Sequence, residues 1–340
     1  MQHNKDKNKE IIYTIDDLEI DIQLILNVID EKQAAVIGLQ FPEGLKRQAV
    51  NISRIIQHNR RVEVLISGNP CFGACDLDTQ LIELADVLFH FGHSSQGFCK
   101  EVIYVGARSK IDVAPVVART IKMLSGKRIG VITTVQHVHK LQEIQDMLAA
   151  EGFECVIGEG DAHIAYPGQV LGCNFSAARA DCDEYIYVGG GEFHPIGASI
   201  AARKSIIIAN PYNSSVYKIN PEPLIRRRCA MIAKASDAAS FGIIVSTRIG
   251  QQRLALARTL KKKIEEHNKN ADLIIMDLVT PEQLLGFKLD AFVNTACPRI
   301  AIDDVKRFNI PVLTPIELEI LIGEREWEEF TMDEILAGDR

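Results

Sequence analysis

The 340-residue sequence lacks the features that would place it in a membrane or outside the cell. No apolar run approaches the roughly 18 residues that a membrane span requires. The first ten residues, MQHNKDKNKE, lack the apolar core of a signal peptide. We therefore expect a cytoplasmic protein with no membrane partner. In that reducing compartment, the eight cysteines favour metal binding or catalysis over a disulfide framework.

The chain also lacks an excess of positive charge. The formal net charge is −7, with 38 Lys and Arg against 45 Asp and Glu. A nucleic-acid surface needs clustered Lys and Arg to bind phosphates, so we expect no nucleic-acid partner. The basic cluster Arg226 to Arg228 is short. We interpret it as part of a helix face, with a phosphate site as the alternative.

Several common ligand-binding motifs are missing. The chain has neither GKS/T nor G-x-G-x-x-G, which argues against nucleoside triphosphatases and nicotinamide enzymes. Cys71 and Cys75 form C-x3-C, but Asp78 stands where the C-x3-C-x2-C loop of standard radical enzymes has its third cysteine. A local zinc site would need further ligands, and His90 with His93 is the only nearby pair. We expect the remaining cysteines to be buried and inert; these are Cys99, Cys155, Cys182 and Cys229.

One pattern occurs three times along the chain. Each third opens with an apolar strand (AAVIGLQF, RIGVITTV and FGIIVSTR), followed by a helical stretch and a second strand. A further strand then follows an acidic residue, which is Asp86, Asp183 or Asp290, and one more short strand closes each third (KEVIYVG, KSIIIAN and NIPVLTP). Alternating strands and helices predict parallel sheets, and a repeat of roughly 110 residues predicts three small units. We predict an α/β fold of three similar domains produced by triplication: 1–123, 124–235 and 236–340. A single doubly wound sheet is the alternative.

Three cysteines, one in each third, lie where a strand runs out into a loop. Cys75 and Cys173 precede the acidic residue of their third, whereas Cys297 follows it. Ligands of open parallel sheets collect beyond the carboxyl ends of the strands. We therefore expect a site at which the three domains converge. Three thiolates on one metal centre leave a fourth position open for a substrate.

Four segments in this order, QFPEGL, FGACDLD, QVLGCNF and ACPRIAIDD, resemble the diphthamide synthase family, in particular its archaeal homodimeric 2-(3-amino-3-carboxypropyl)histidine synthases. The resemblance covers residues 30–325. It implies a homodimer of chains that each contain three α/β domains. It also implies a [4Fe–4S] cluster held by Cys75, Cys173 and Cys297, with Cys71 close enough to substitute for Cys75.

The chemistry implied by this resemblance is a radical transfer. S-adenosylmethionine binds the open iron, and reduction cleaves its bond between sulfur and Cγ. The resulting 3-amino-3-carboxypropyl radical adds to C2 of a histidine on translation elongation factor 2, the first step of diphthamide biosynthesis. The electron comes from a donor such as a ferredoxin, or from dithionite in vitro. The cluster carries the chemistry, while the protein orients the bond that breaks.

Residues that contact S-adenosylmethionine are expected in the same loops. A carboxylate needs a cation and an ammonium needs an acceptor, whereas glycines allow close approach of the adenosine. The candidates are Arg299 and Arg248 for the carboxylate, Glu43 and Asp303 for the ammonium, and Gly92, Gly189, Gly190 and Gly191 for the adenosine. For each charged residue, a salt bridge without a functional role is the alternative. The acidic segment EREWEEF is interpreted as an amphipathic helix, with a docking or dimer element as the alternative.

Three other functions compete with this interpretation. The chain could be a non-catalytic cluster or electron-transfer subunit. It could be an α/β binding protein with structural zinc. It could also be a hydro-lyase with an open-iron [4Fe–4S] cluster, acting on a small hydroxy acid without consuming S-adenosylmethionine.

Overall fold

The computed structural model describes residues 11–303 and 307–338, so the polar N-terminal segment lies outside the described residues. The chain divides into two compact units. The first comprises the described part of Met1–Asp112 with Val135–Lys140, and the second comprises Val113–Thr134 with the described part of Leu141–Arg340. In both units, helices alternate with strands along the chain, and most of the strands form parallel sheets. This confirms the predicted α/β class.

The helices are short, as is usual where they connect neighbouring strands. In the described residues none reaches the length and apolarity that a transmembrane span requires. The α-helices of the first unit are α1 (Ile22–Lys32), α2 (Ala49–Asn59) and α3 (Thr79–Leu84). Those of the second are α4 (Ala114–Ile121), α5 (Leu141–Ala150), α6 (Phe193–Ala202), α7 (Glu222–Lys234), α8 (Leu254–Glu266), α9 (Pro281–Leu285), α10 (Pro298–Ile302) and α11 (Pro315–Leu321).

The first unit contains one antiparallel and one parallel sheet. The antiparallel sheet, which the sequence did not predict, has the order β1–β2–β7 and comprises β1 (Ile12–Ile15), β2 (Leu18–Asp21) and β7 (Ala107–Ser109). The parallel sheet has the order β4–β3–β5–β6 and comprises β3 (Val36–Gln40), β4 (Glu63–Ile66), β5 (Val87–Phe91) and β6 (Val102–Val105).

The second unit contains two sheets. One has the order β9–β8–β10–β11–β12, and its strands are β8 (Arg128–Thr133), β9 (Glu154–Val156), β10 (Glu184–Val188), β11 (Ile206–Asn210) and the antiparallel edge strand β12 (Ser215–Lys218). The other has the order β14–β13–β15–β16, and its strands are β13 (Ser240–Ser246), β14 (Asn270–Met276), β15 (Ala291–Asn294) and β16 (Val312–Leu313). In each of the three parallel sheets the four parallel strands follow the order second, first, third, fourth, and β12 is an additional edge strand of one sheet. This identity supports the proposed triplication.

An aspartate holds the same position in each parallel sheet. One carboxylate oxygen of Asp86 accepts the backbone N–H groups of residues 35 and 36, both at 2.8 Å. Asp183 does the same with residues 127 and 128 at 2.7 and 2.8 Å, and Asp290 with residues 239 and 240 at 3.1 and 2.9 Å. These hydrogen bonds lower the pKa of each carboxyl because they favour its charged form, and at Asp290 the Ser240 hydroxyl, which donates at 2.7 Å, makes the largest contribution. The acidic residue that the sequence placed before each third strand therefore ties that strand to the start of the first.

A glycine stands at the third residue of each first strand because a neighbouring side chain fills the space. A Cβ on Gly130 would lie 2.2 Å from the Tyr185 ring, and one on Gly242 would lie 2.6 Å from the Phe292 ring. At Gly38 it would lie 2.9 Å from two leucine side chains. The three sheets thus share a packing constraint as well as a strand order.

Two predictions for charged segments had different outcomes. Arg226 to Arg228 lie on α7, which confirms the helix, and Arg228 is buried in a pair with Glu317 at 2.5 Å. The predicted helix at EREWEEF is wrong. Only Trp327–Glu329 forms a single 3-10 turn, which ends where the Trp327 ring stacks on Phe330 at 5.2 Å. A turn of three residues has no helical face to cover a domain edge, so stacking rather than helix formation orders this segment.

Candidate functional site

Cys75 lies in a loop that joins β4 to α3 in the first unit. The loop turns where the Asp76 N–H donates to the Gly73 carbonyl at 3.0 Å, and Cys75 is buried. The Gln40 side chain, at the end of β3, donates to the Asp76 carbonyl at 2.8 Å. Asp78 begins α3 by accepting the Leu81 N–H at 3.0 Å. The loop is therefore fixed at the carboxyl end of the parallel sheet, as predicted from the strand pattern.

Cys71 lies in the same loop beside two histidines. His90 is at the end of β5, and its Nε2 is 4.0 Å from the Cys71 Sγ and 2.8 Å from Nδ1 of His93. Burial lowers the pKa of His90 to about 3 and that of His93 to about 4. Both rings are therefore neutral at neutral pH, since desolvation penalises the imidazolium.

Cys173 occupies a tight turn in the second unit. The N–H of Leu171 donates to the carbonyl of Asn174 at 2.9 Å, which closes the turn. Val170 donates its N–H to the Thr133 carbonyl at 2.9 Å. Because Thr133 is the last residue of β8, Cys173 also lies beyond the carboxyl end of a parallel strand. Its setting therefore resembles that of Cys75.

Cys297 immediately precedes α10 in the second unit. The Asn294 side chain donates to its carbonyl at 2.8 Å. Burial and the Asp303 charge raise the pKa of the Cys297 thiol, and the Arg299 N–H with the charges of Arg299 and Arg253 offsets only part of this rise. These positive groups favour the thiolate, the form in which cysteine binds metals.

The loops of Cys173 and Cys297 meet inside the second unit. A Cβ on Gly172 would lie 2.9 Å from Cδ of Arg299 and 3.1 Å from the Phe193 ring, so a larger residue before Cys173 would displace these side chains. The Arg299 guanidinium lies 4.6 Å from the centroid of the Phe193 ring and pairs with Asp303 at 2.7 Å. Two of the three predicted ligands therefore lie on loops in direct contact.

The C-terminal segment also contacts both loops, and the sequence did not single it out. The Arg253 guanidinium donates to the carbonyls of Thr295 and Ala296 at 2.8 and 3.2 Å, just before Cys297. It also binds the Asp333 carboxylate through two hydrogen bonds of 2.9 and 2.6 Å.

The next two residues, 334 and 335, bind the loop that contains Cys173. The Glu334 carboxylate accepts the N–H of Phe175 at 2.7 Å, and the Ile335 N–H donates to the Cys173 carbonyl at 2.7 Å. No local sequence signal could have found this link, because its partners are far apart along the chain.

The charged candidates for S-adenosylmethionine binding are all engaged with other residues. Glu43 is exposed and pairs with Lys46 at 2.6 Å, which lowers the pKa of its carboxyl. Arg248 is buried and donates to the Asp277 carbonyl at 2.9 Å. Arg299 and Asp303, predicted for opposite charges of one ligand, pair with each other.

The glycine candidates differ in their surroundings. A Cβ on Gly189 would meet the Tyr187 hydroxyl at 2.9 Å, one on Gly190 would meet the Tyr212 ring at 3.2 Å, and one on Gly92 would meet Pro42 and Leu45 at 3.2 Å. Gly191, at φ +74°, faces open space in the described part of the chain. Packing accounts for the first three, and a positive φ also favours glycine at positions 92 and 189, whereas the Cβ position of Gly191 is open.

Comparison with known proteins gives consistent matches over nearly the whole chain. The model of the diphthamide synthesis protein family matches residues 41–331. The 2-(3-amino-3-carboxypropyl)histidine synthase of Pyrococcus horikoshii is 42% identical over 95% of both chains, and subunit 1 of the Schizosaccharomyces pombe synthase is 31% identical over 89% of this chain and 73% of its own. A crystal structure of Dph2 from Pyrococcus horikoshii with a 4Fe–4S cluster superposes with a TM-score of 0.89 at 40% identity, covering 97% of this chain and 96% of that one.

Proposed function

Because the chain belongs to the family of diphthamide synthesis proteins, we infer that it is a 2-(3-amino-3-carboxypropyl)histidine synthase. It is a transferase that catalyses the first step of diphthamide biosynthesis. It moves the 3-amino-3-carboxypropyl group of S-adenosylmethionine to C2 of a histidine on translation elongation factor 2. The observation that carries this inference is the 42% identity over 95% of both chains to the Pyrococcus horikoshii synthase.

The cofactor of this reaction is a [4Fe–4S] cluster, and the thiols of the chain fit it. Such clusters are held by cysteine thiolates, and three ligands leave one iron open. We assign Cys75, Cys173 and Cys297 as those ligands. The contact between the Cys173 and Cys297 loops and the positive groups around Cys297 support the assignment. All eight cysteines lie in the described residues, and none of them forms a disulfide.

When bound, the cluster supplies the electron that cleaves the bond between sulfur and Cγ of S-adenosylmethionine. The residues of the chain then have to hold the rest of that molecule in one orientation. Arg299 and Asp303, two and six residues after Cys297, offer a cation for the carboxylate and an anion for the ammonium. They would exchange their mutual ion pair for the two charges of the ligand. Gly191 leaves room for the adenosine.

The partners follow from this reaction. The protein substrate is elongation factor 2, and the electron donor is a protein such as a ferredoxin, which dithionite replaces in vitro. We propose that the chain acts as a homodimer in the cytoplasm, where translation factors work. The three parallel sheets of identical strand order support a division into the three domains 1–123, 124–235 and 236–340.

The decisive experiment is anaerobic. The protein is reconstituted with iron and sulfide, reduced with dithionite and mixed with S-adenosylmethionine and elongation factor 2, and the nucleoside product is identified by mass. We expect methylthioadenosine, lost when Cys75, Cys173 or Cys297 is changed to Ala and retained in Cys155→Ala and Cys229→Ala. Deoxyadenosine, or a cluster that forms without any nucleoside product, would contradict the proposal. The second outcome would favour an electron-transfer subunit or a hydro-lyase.

A further inference from the structure

We propose that Cys71, His90 and His93 bind a single zinc ion, separate from the cluster. Among the described residues, one donor atom from each of these side chains lies within 4.8 Å of the other two. Cys75, although only four residues from Cys71, is not part of this set. One thiolate and two imidazoles leave a fourth tetrahedral position for water, a donor set that suits zinc.

The local fold brings these three side chains together from two segments. His90 is fully buried at the end of β5, and Cys71 is buried in the loop after β4. Gly92 has φ +75°, a left-handed conformation that turns the chain after β5. The turn places the His93 ring against His90, with ring centroids 5.1 Å apart. The path of the backbone therefore brings these three side chains together, and they are not mobile groups on the surface.

A second layer of hydrogen bonds fixes which nitrogen of His90 faces the metal. Gln40 pairs with His90 across β3 and β5, and its amide nitrogen donates to the Asp76 carbonyl at 2.8 Å. Its amide oxygen therefore faces Nδ1 of His90 at 3.0 Å and requires that nitrogen to carry the proton. Nε2 of the neutral ring then presents its lone pair toward Cys71 and His93. Metal-binding histidines are usually held in this way.

The register of the sheets supports a ligand at this position. His93 follows Asp86 by as many residues as Cys297 follows Asp290, and both aspartates anchor the third strand of their sheet. The first sheet thus places a metal-binding side chain where the third places a proposed iron ligand. With zinc bound, Cys71 would fasten the loop that carries Cys75 to the end of β5.

The test uses cobalt(II) as a spectroscopic substitute for zinc. A full-length Cys75→Ala/Cys173→Ala/Cys297→Ala variant, which lacks the proposed cluster ligands, is reduced and titrated with cobalt under argon. We expect one cobalt per chain, with a thiolate-to-metal absorption band that zinc abolishes. Cys71→Ser should remove the band, His90→Gln should weaken binding, and Cys155→Ser should leave both unchanged. Gln40→Leu should lower the affinity by about 10- to 100-fold.

A folded variant, with circular dichroism like that of the parent, that binds no cobalt through a thiolate would overturn the proposal. So would a band that persists in Cys71→Ser. If the triple variant does not fold, zinc and iron are measured in the cluster-loaded protein. The proposal then requires one zinc per chain that is lost in Cys71→Ser while the iron content stays the same. Loss of iron instead would make Cys71 a cluster ligand. None of these measurements depends on transferase activity.

Discussion

Arg253 and Asp333 form a two-hydrogen-bond ion pair whose side chains are 2% and 5% exposed. The same guanidinium holds the two carbonyls that precede Cys297, and the two residues after Asp333 hold the Cys173 loop. One arginine therefore connects the loops of two proposed cluster ligands through the C-terminal segment. We expect it to position both thiols.

Removing one partner of this pair should destabilise the fold, because the other charge would stay buried without an opposite charge beside it. We expect Arg253→Met to lower the free energy of unfolding by about 3–5 kcal/mol, measured by urea denaturation. The control is Arg226→Met, since Arg226 makes an exposed pair with Glu222 at 3.8 Å. Such surface pairs contribute about 0–1 kcal/mol. Equal losses in the two variants would show that burial does not matter here.

Replacing Glu334 should weaken the retention of iron by the proposed cluster. Its carboxylate accepts the Phe175 N–H and pairs with Arg179, and burial raises its pKa. We expect Glu334→Ala to loosen the Cys173 loop and to release iron to a chelator faster than the parent protein. Glu328→Ala, in the exposed 3-10 turn, should release iron at the parental rate. Parental iron release from both variants would argue against a positioning role.

The glycines of the first strands should tolerate no side chain. We expect Gly130→Ala to destabilise the protein by about 1–3 kcal/mol, because its Cβ would overlap the buried Tyr185 ring. Gly44→Ala provides the matched control, since no atom lies within 4 Å of its Cβ position. The thermal unfolding temperatures of the two variants are compared with that of the parent protein. If Gly130→Ala unfolds at the parental temperature, the packing described above is contradicted.

Acid should destabilise the fold partly through His137. This side chain is 1% exposed, and burial together with the nearby His139 and Lys140 lowers its pKa to about 4. Its unfolded pKa is about 6.5, so between these values the unfolded chain binds the proton and the folded chain does not. Stability is therefore lost as the pH falls from 6.5 toward 4.

Replacing His137 should make the stability less dependent on pH. We expect His137→Gln to lose on the order of 2 kcal/mol less than the parent between pH 7 and pH 5. Urea unfolding at both values measures the difference. The exposed His267→Gln serves as the control variant and should follow the parent. If His137→Gln also follows the parent, His137 does not couple folding to pH.

Short-range patterns accounted for most of the secondary structure. All twelve strands predicted in the three thirds occur, because apolar runs bounded by turns and polar loops report burial directly. The sheet β1–β2–β7 and the edge strand β12 were missed, because their sequences, IYTI, LEID, ARS and SVYK, contain no continuous apolar run. The helix predicted at EREWEEF was wrong, since its charge pattern suits a helix but only Trp327–Glu329 forms a 3-10 turn.

The sequence by itself determined the α/β class, the succession of strands and helices along the chain and the three candidate thiols, because strand periodicity and cysteine settings are local properties of the chain. It also carried the family resemblance that the comparisons confirmed. Tertiary structure alone decided that Arg253 joins residues before Cys297 to Asp333, and that Gln40 orients His90 beside Cys71. These contacts link residues that are distant in the chain. Their geometry depends on how sheets and loops pack, which no local pattern records.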